Sequence, residues 1–571
     1  MTDPDSGARE DFWIFRDGRN DVPGQVLLRD LRLSLQCLLE NPRDQKCLLK
    51  TLIQSGEFES ALADSESSAA SEIAELTSAL ADLYVDSAAM VNQTMVCQIR
   101  VLAAKMDELP IPVVLTTAPP EGFSYYALHP LDFARTAKQI ADSSHPTAVL
   151  GVRSIGTTLS AVVTAVLKKK SVLAQRITVR PAGHPYDRDT QFASQQARWI
   201  RQWQEKSARY LVVDEGPGRS GSTFLSVAEA LVRTGVPASR IILMGSVEPD
   251  LGALRARNAT ARWQTFRYVK CAPSSYSRFG DATYIGAGEW RRVLLRDSAE
   301  WPACWPQMER LKFFSADRNG FFKFEGLGRS GEVVRQRARC LADAGFGCPV
   351  EDADDGFALY RAMTLRSPDP HDVSAKVLER IAQYCAFRAA EFRAENCVPA
   401  LLSETLAFNV RQEFGVELDF YADVMASKQP VLADARMQPH EWIRKGDGEL
   451  IKTDGVTHGD DHFFPGPCDI AWDLAGTAVE WDLHPDALEY LLGRFRELSG
   501  IDASKRIQVF ILAYAVFRMA FCKMAAGTVL GTGDEFRLSR IYRYYRSRAA
   551  KGLSFETTRY PRPSASRVRL G

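Results

Sequence analysis

Residues 210–232 constrain the fold most, because they place a strand, two acidic residues, a glycine-rich loop and a helix in immediate succession. The apolar residues 211–213 predict a buried strand, as in a sheet that is covered on both faces. Asp214 and Glu215 follow where this strand ends, and residues 225–232 have a helical pattern. In open α/β sheets, ligands bind at the carboxyl ends of the strands. The sequence therefore predicts a parallel sheet with a ligand site at this turn.

The loop after the acidic pair contains residue types that bind phosphate. Glycine lets the backbone approach a ligand closely, hydroxyl groups donate hydrogen bonds, and N–H groups at a helix start favour anions. The residues concerned are Gly218, Arg219, Ser220, Gly221, Ser222 and Thr223. Asp214 and Glu215 can hold a sugar diol or a metal ion. No lysine follows the glycines, which argues against a P-loop.

This arrangement resembles the phosphoribosyl diphosphate (PRPP) motif of type I phosphoribosyltransferases, in which apolar residues precede two acidic residues and a loop of small residues. The resemblance implies that Asp214 and Glu215 contact the ribose hydroxyls of PRPP and that residues 218–223 bind its 5′-phosphate. It departs from the family at residues 216–219, where Gly-Pro-Gly-Arg replaces the more usual aliphatic and threonine positions. The alternative is a different Rossmann-like turn between a strand and a helix.

An upstream loop extends the resemblance. It follows a predicted strand at residues 148–150, where this family carries its pyrophosphate loop. The resemblance implies that Arg153 receives the departing pyrophosphate, together with a nest of backbone N–H groups around Ser154 to Gly156. Without the acidic pair downstream, Arg153 would be interpreted as a surface ion-pair residue.

A third loop, residues 180–188, lies between the other two and concentrates Arg, His, Tyr and Asp. In phosphoribosyltransferases a mobile loop in this interval closes over the reaction centre. The resemblance implies that Arg180 or Arg188 covers the pyrophosphate and that His184 or Asp187 moves a proton on the acceptor. The alternative is a polar surface loop.

The second half of the chain resembles the aminoglycoside-phosphotransferase branch of the protein-kinase-like fold. Lys323 lies in an aromatic strand, like the lysine that pairs with ATP phosphates, and Asp454 precedes a glycine, like the aspartate that holds Mg²⁺. The resemblance implies that Asp434 is the catalytic base and that His440 replaces a metal-binding Asn. It also implies that Asp473 ties the catalytic loop to the start of a helix.

The second half also departs from that family. No glycine-rich loop precedes Lys323, no histidine stands immediately before Asp434, and the helix after the lysine offers Glu332 as its acidic partner only at an early position. The run from His458 to His462 is compatible with a metal cluster or a displaced catalytic loop, and a polar loop is the interpretation we favour. Both an active kinase and an inert kinase-like domain therefore remain open.

Length and composition predict several domains in a soluble, cytoplasmic protein. The expected segments are a helical N-terminal region (1–109), a phosphoribosyltransferase-like domain (110–290), a linker (291–310), a kinase-like domain (311–535) and a basic C-terminal helix and tail (536–571). Lys+Arg and Asp+Glu both number 71, which argues against nucleic-acid and membrane partners. Eleven cysteines without a CxxC pair argue against a zinc ribbon or a disulfide framework. The apolar run 509–526 contains two basic residues and is predicted to be a core helix.

The predicted fold class is α/β: a parallel-sheet phosphoribosyltransferase-like domain, followed by a two-lobed kinase-like α+β domain and preceded by helices that cap the sheet or form homodimer contacts. The expected function is Mg²⁺-dependent transfer of 5-phosphoribosyl from PRPP to a small-molecule acceptor. ATP-dependent phosphorylation by the second domain would follow. The alternatives are the reverse, phosphorolytic or hydrolytic step on a nucleotide-like compound, and a sensor that binds PRPP or a nucleotide next to an inert kinase-like domain.

Overall fold

The computed structural model describes residues 12–16, 18–86, 92–184, 186–218, 220–273, 279–295, 297–317, 319–361, 373–394, 399–418, 421–445 and 448–559. Helices come first, a parallel sheet follows, and an antiparallel sheet and a second set of helices complete the chain. The architecture is thus mixed α/β, as the alternation of apolar strands and helices predicted.

The N-terminal part is a strand followed by four helices. The elements are β1 (Asn20–Pro23), α1 (Gly24–Glu40), α2 (Gln45–Asp64), α3 (Ala70–Val85) and α4 (Gln93–Lys105). The Asp44 side chain caps α2 by accepting hydrogen bonds from the backbone N–H groups of Lys46 and Cys47. Leu28, Leu31, Leu35 and Leu38 of α1 lie at a helical spacing and are buried, so they hold this layer together.

The central part contains the parallel sheet. Its elements are β2 (Val114–Thr117), α5 (Glu121–Ser124), α6 (Pro130–Ile140), β3 (Thr147–Val152), α7 (Ile155–Lys169), β4 (Ala174–Val179), β5 (Ala182–His184), β6 (Asp187–Asp189), α8 (Ser194–Glu205), β7 (Arg209–Val213), α9 (Ser222–Arg233), β8 (Ile241–Gly245), α10 (Ala259–Trp263) and β9 (Arg267–Lys270). The strand order is β4-β3-β7-β8-β9, and all four pairings are parallel. All five carboxyl ends therefore lie at one edge of this sheet.

The parallel sheet is covered on both faces, which explains its continuous apolar strands. On one face α7 packs against the sheet, and α2 and α3 of the N-terminal part pack against α7. A buried ion pair joins these layers, because both terminal nitrogens of Arg176 on β4 donate to the carboxylate of Glu59 on α2 at 2.8 Å. The strand β2 pairs with β1 and lies outside the parallel sheet.

The C-terminal part begins with an antiparallel sheet and continues with helices. Its elements are β10 (Thr283–Tyr284), α11 (Trp290–Leu294), β11 (Lys312–Phe314), β12 (Gly320–Phe324), α12 (Gly328–Asp343), β13 (Val350–Asp352), β14 (Phe357–Arg361), α13 (Ala375–Glu391), α14 (Pro399–Phe414), α15 (Ala422–Met425), β15 (Val431–Leu432), β16 (Trp442–Arg444), β17 (Leu450–Lys452), β18 (Pro467–Cys468), α16 (Ala471–Glu480), α17 (Pro485–Ser499), α18 (Ile507–Ala526) and α19 (Gly533–Arg559). The sheet order is β10-β11-β12-β14-β13. Since β10 already pairs with β11, this sheet starts before the boundary expected at residue 290.

Two helices near the C-terminus form much of the second core. Among the described residues, α18 alone is long and apolar enough to cross a membrane, yet 78% of its most apolar window is buried inside the fold. It packs against α16 and α19, as expected of a core helix. The arginine- and tyrosine-rich α19 is therefore docked rather than free, and Tyr545 and Ala549 are buried against the neighbouring helices.

Candidate functional site

The predicted acidic pair stands at the carboxyl edge of the parallel sheet, directly after β7. The two side chains are partly exposed and border a large cavity. Asp214 accepts a hydrogen bond from the N–H of Glu215 at 2.8 Å. The Glu215 carboxylate accepts one from the N–H of Gly122, at the start of α5, at 2.7 Å. Among the described residues, neither carboxylate forms an ion pair.

Burial changes the acidity of both groups. Burial raises the pKa of Asp214 to about 7, against the smaller opposing effects of its hydrogen bond and of Arg180 and Arg188. Burial, with the negative charge of Asp214, raises the pKa of Glu215 to about 8. Two adjacent carboxylates whose ionisation is disfavoured are receptive to a cation or to hydroxyl donors.

The loop after the acidic pair is held by close backbone approaches. A Cβ on Gly245 would lie 2.0 Å from the carbonyl oxygen of Gly216, so only glycine fits where β8 passes the loop. Gly221 has φ +68° and is the cap residue of α9, a left-handed conformation that favours glycine. The Ser220 hydroxyl accepts a hydrogen bond from the N–H of Ser222 at 3.2 Å. The loop thus leads into a twelve-residue helix whose first N–H groups point towards its amino end.

The cavity at this edge measures about 2030 Å³. Of the predicted site residues, those that line it are His184, Asp187, Asp214, Glu215, Gly218, Gly221 and Thr223. Arg219 lies outside the described residues. The remaining predicted phosphate-binding residues do not line the cavity: Ser154, Gly156, Ser220 and Ser222. The described arginines of the lining are Arg255 and Arg257, from the loop after β8, which sequence reasoning missed. In the sequence, the one sign of this role is that two arginines lie two positions apart in a loop after a strand.

Arg153 and Arg180, predicted to bind pyrophosphate, follow β3 and β4 at the same edge of the sheet but do not line the cavity. Arg153 Nε lies 3.2 Å from Asp64 Oδ1, and Arg180 Nε lies 3.1 Å from both carboxylate oxygens of Asp64. Behind them, a Cβ on Gly156 would meet the carbonyl oxygen of Val213 at 2.5 Å, so the start of α7 touches the end of β7. The structure therefore brings the two loops together, and the carboxylate of Asp64 on α2 contacts both arginines.

In the C-terminal part, the predicted lysine and aspartate meet. Lys323 on β12 is buried, and its Nζ lies 2.7 Å from Asp454 Oδ1 and 3.2 Å from Glu325 Oε1. Burial opposes ionisation of Asp454, but Lys323, followed by His458 and Lys312, lowers its pKa well below the usual range. The expected partner Glu332 is not in this group, because it pairs with Lys50 of α2.

A second group of charges surrounds Asp434. The ligand atoms of Asp434, Glu441 and His458 lie within 4.8 Å of one another, a spacing that could hold a metal ion. However, Lys452 Nζ lies 2.7 Å from Glu441 and 3.4 Å from Asp434. Asp434 is fully buried and accepts a hydrogen bond from the Tyr384 hydroxyl.

Other predicted residues of this half occupy separate places. Asp473, in the first turn of α16, accepts hydrogen bonds from the N–H groups of Asp434 at 2.8 Å and Ala435 at 3.0 Å, as the resemblance implied. His440 stacks on Trp290, with ring centres 6.4 Å apart, and burial lowers its pKa to about 3. His440 is not one of the three residues whose ligand atoms lie within 4.8 Å of one another. The histidine near Asp434 is therefore His458 rather than His440.

The two candidate sites differ in their fit to Mg²⁺. Mg²⁺ prefers oxygen ligands and surplus negative charge. The pair Asp214 and Glu215 offers carboxylate oxygens without an ion-pair partner among the described residues, so the sheet edge fits a magnesium complex whose charge would favour their ionisation. At the second centre, Lys452 and Lys323 already neutralise the carboxylates of Asp434, Glu441 and Asp454. Those residues do not fit a divalent ion while the lysines remain in place.

Comparison with known proteins gives a likeness only at the level of solved structures. No protein-family model matches, and no curated protein matches. The choline kinase LicA from Streptococcus pneumoniae aligns with a TM-score of 0.32 at 14% identity, covering 43% of this chain and 89% of that chain. A choline/ethanolamine kinase family protein from Mesorhizobium loti aligns with a TM-score of 0.30 at 14% identity, covering 43% and 88%. An aminoglycoside phosphotransferase from Alicyclobacillus acidocaldarius aligns with a TM-score of 0.29 at 11% identity, covering 44% and 90%.

These likenesses concern a kinase-like fold in about 43% of the chain. At TM-scores of 0.32 and below they carry no conclusion about chemistry, which rests on the residues described above. None of the three is a phosphoribosyltransferase, so the resemblance of the parallel-sheet part to that family rests on its own residues alone.

Proposed function

We propose that the edge of the parallel sheet binds PRPP as its magnesium complex and transfers the 5-phosphoribosyl group to a small-molecule acceptor. The observation that carries this proposal is the pair Asp214 and Glu215, which border a cavity without a cationic partner among the described residues. Their carboxylates would accept hydrogen bonds from the two ribose hydroxyls. Mg²⁺ would supply charge neutralisation for the diphosphate of the substrate.

The loop and helix next to the pair support the 5′-phosphate part of the proposal. Gly218, Gly221 and Thr223 line the same cavity as the carboxylates. The N–H groups at the start of α9 favour an anion, and Arg255 and Arg257 add positive charge to the lining. A ligand with a diol at one end and a phosphate at the other matches this order of groups.

In the proposed reaction the acceptor attacks C1 of the ribose, and the bond from C1 to the diphosphate oxygen breaks. Pyrophosphate leaves with the electron pair of that bond, and the acceptor gives up a proton. His184 on β5 lines the cavity and is the described imidazole placed to take this proton. The same residues would serve the reverse reaction, in which pyrophosphate or water attacks a nucleotide-like compound.

Isothermal titration with PRPP and Mg²⁺ tests the proposal on the wild type and on Asp214→Asn. We expect the variant to lose at least tenfold in affinity, since one neutralised carboxylate removes both charge and an acceptor. Asp250→Asn, which changes another acid of the cavity wall outside the pair, is the matched control and should stay within twofold. Equal affinities of the wild type and Asp214→Asn would refute the assignment of the site.

For the C-terminal half, we propose nucleotide binding, with ATP-dependent phosphoryl transfer to the product or a related metabolite as its active form. Support comes from Lys323 and Asp454, whose contact at 2.7 Å joins the strand lysine to the aspartate after β17.

A second candidate is a sensor whose kinase-like half binds a nucleotide without transferring phosphate. The position of Lys452 between Asp434 and Glu441 favours it, because an ammonium group occupies the space where a divalent ion would bind. Titrations with ATP in the presence and absence of Mg²⁺, together with a single-turnover assay for ADP, separate the two candidates. Affinity that does not depend on Mg²⁺, without ADP formation, supports the sensor, whereas Mg²⁺-dependent turnover supports the kinase.

A further inference from the structure

Asp64, the last residue of α2, connects the N-terminal helices to the edge of the parallel sheet. Its carboxylate contacts two arginines that follow neighbouring strands: Arg153 after β3 and Arg180 after β4. The arginines also contact each other, because Arg180 Nη1 donates to the carbonyl oxygen of Arg153 at 2.7 Å. One carboxylate therefore holds two guanidinium groups in a single cluster.

This cluster is only partly satisfied by its carboxylate. Arg153 Nε is buried and makes no hydrogen bond, although Asp64 Oδ1 is 3.2 Å away, so the contact is electrostatic rather than directional. Burial lowers the pKa of Arg153, and Asp64 counteracts that effect. Two guanidinium groups and one carboxylate have a net charge of about +1. A dianionic group in place of Asp64 would neutralise both guanidinium groups, so it would match them better than Asp64 does.

The cluster is also close to the acidic pair. Arg180 acts on Asp214 strongly enough to oppose the rise in the pKa of that carboxyl. Gly156, three residues after Arg153, touches the carbonyl oxygen of Val213, which directly precedes Asp214. The loop that carries the cluster therefore neighbours the end of β7, although neither arginine lines the cavity while Asp64 holds it.

We propose that Asp64 is an internal competitor for the diphosphate of the ligand, holding Arg153 and Arg180 until the anion displaces it. The N-terminal helices thereby set the affinity of the sheet-edge site. The inference rests on the proposed binding of PRPP. Its physical basis has two parts. Guanidinium groups bind the oxygens of a diphosphate more strongly than they bind a single carboxylate, and a carboxylate that stays beside the diphosphate repels that diphosphate.

The test is a titration of Asp64→Asn with inorganic pyrophosphate and with PRPP, both in the presence of Mg²⁺. We expect about tenfold tighter binding of both ligands than in the wild type, because the competing charge is gone while the arginines remain. The matched control is Asp86→Asn, which removes the carboxylate from a surface ion pair with Lys169 at 2.9 Å, between α3 and α7. It should leave both affinities within twofold of the wild type.

The outcomes separate this inference from the proposed function. If PRPP binding depends on Asp214 but Asp64→Asn binds pyrophosphate equally or more weakly, the competitor role is wrong and the function stands. If Asp64→Asn binds pyrophosphate more tightly but PRPP binding does not depend on Asp214, the anion site stands and the function fails. Should Asp64→Asn not fold, Arg180→Gln provides the decision, since unchanged affinity of that variant for pyrophosphate would overturn the inference.

Discussion

Lys452, the last residue of β17, decides how the C-terminal centre is held together. Its side chain is fully buried, and its Nζ lies 2.7 Å from Glu441 Oε2, 3.4 Å from Asp434 Oδ1 and 3.0 Å from the carbonyl oxygen of Asp454. Burial alone would lower the pKa of Lys452, but Asp434 and Glu441 raise it above its usual value, so the group is cationic at neutral pH. Lys452→Gln would leave two buried carboxylates without this cation.

The size of the effect follows from the burial of the partners. Removing one member of a buried ion pair costs about 3–5 kcal/mol, because the remaining charge is left unpaired in a poorly solvated place. Asp434 has no exposed surface and Glu441 is 12% exposed, so we expect a loss within this range. Lys445→Gln is the matched control: its partner Glu449 is 43% exposed, and such a pair contributes less than about 1 kcal/mol.

Urea unfolding followed by tryptophan fluorescence measures this loss, since Trp442 and Trp472 are buried in the same core. The variant should also gain a property: without the ammonium group, Asp434, Glu441 and His458 form a divalent-cation site, and Mn²⁺ should restore part of the stability. An unfolding midpoint equal to that of Lys445→Gln, or equal stabilisation of the wild type by Mn²⁺, would refute the reasoning.

Two further predictions concern the sheet edge. The pKa of Glu215 is raised to about 8 in the folded protein, so the native state binds more protons than the unfolded chain, and stability falls as pH rises from about 4.5 to 8. Glu215→Gln should flatten this dependence in thermal melts between pH 5 and pH 9, and parallel curves for both proteins would contradict it. Gly245→Ala should cost about 1–3 kcal/mol in urea unfolding, because its Cβ would meet the Gly216 carbonyl oxygen at 2.0 Å. Gly252→Ala, whose Cβ meets its nearest described atom at 3.5 Å, should cost far less; equal losses would exclude the close approach as the cause.

The elements around the acidic pair could be predicted because their signals are local. The apolar run that ends at Val213 coincides with the end of β7, and the predicted helix at residues 225–232 lies within α9, which begins three residues earlier, at Ser222. The same is true of the tie between Asp473 and the backbone of Asp434, which a family-like segment indicated. Such features depend on a few neighbouring residues whose spacing is visible in the chain.

The charge partners could not be predicted in this way. Arg180 and its partner Asp64 are 116 positions apart, and the contact depends on how α2 packs over the sheet. Lys452 occurs in a short strand where all three residues are buried, so no alternation marked it as inward-facing. A lysine two positions before Asp454 was the one local signal, and it is equally typical of an exposed strand end. Tertiary packing, rather than periodicity, determines which charges meet.

The two centres differ in how their carboxylates are compensated by positive charge. At the sheet edge, Asp214 and Glu215 have raised pKa values and no close cation among the described residues, so a ligand that supplies positive charge or hydroxyl donors gains free energy there. In the C-terminal centre, Lys323 and Lys452 already supply that charge, and a metal ion would have to displace an ammonium group first. This difference supports the proposal of ligand chemistry at the open centre, and at the internally neutralised centre it favours the sensor over the active kinase.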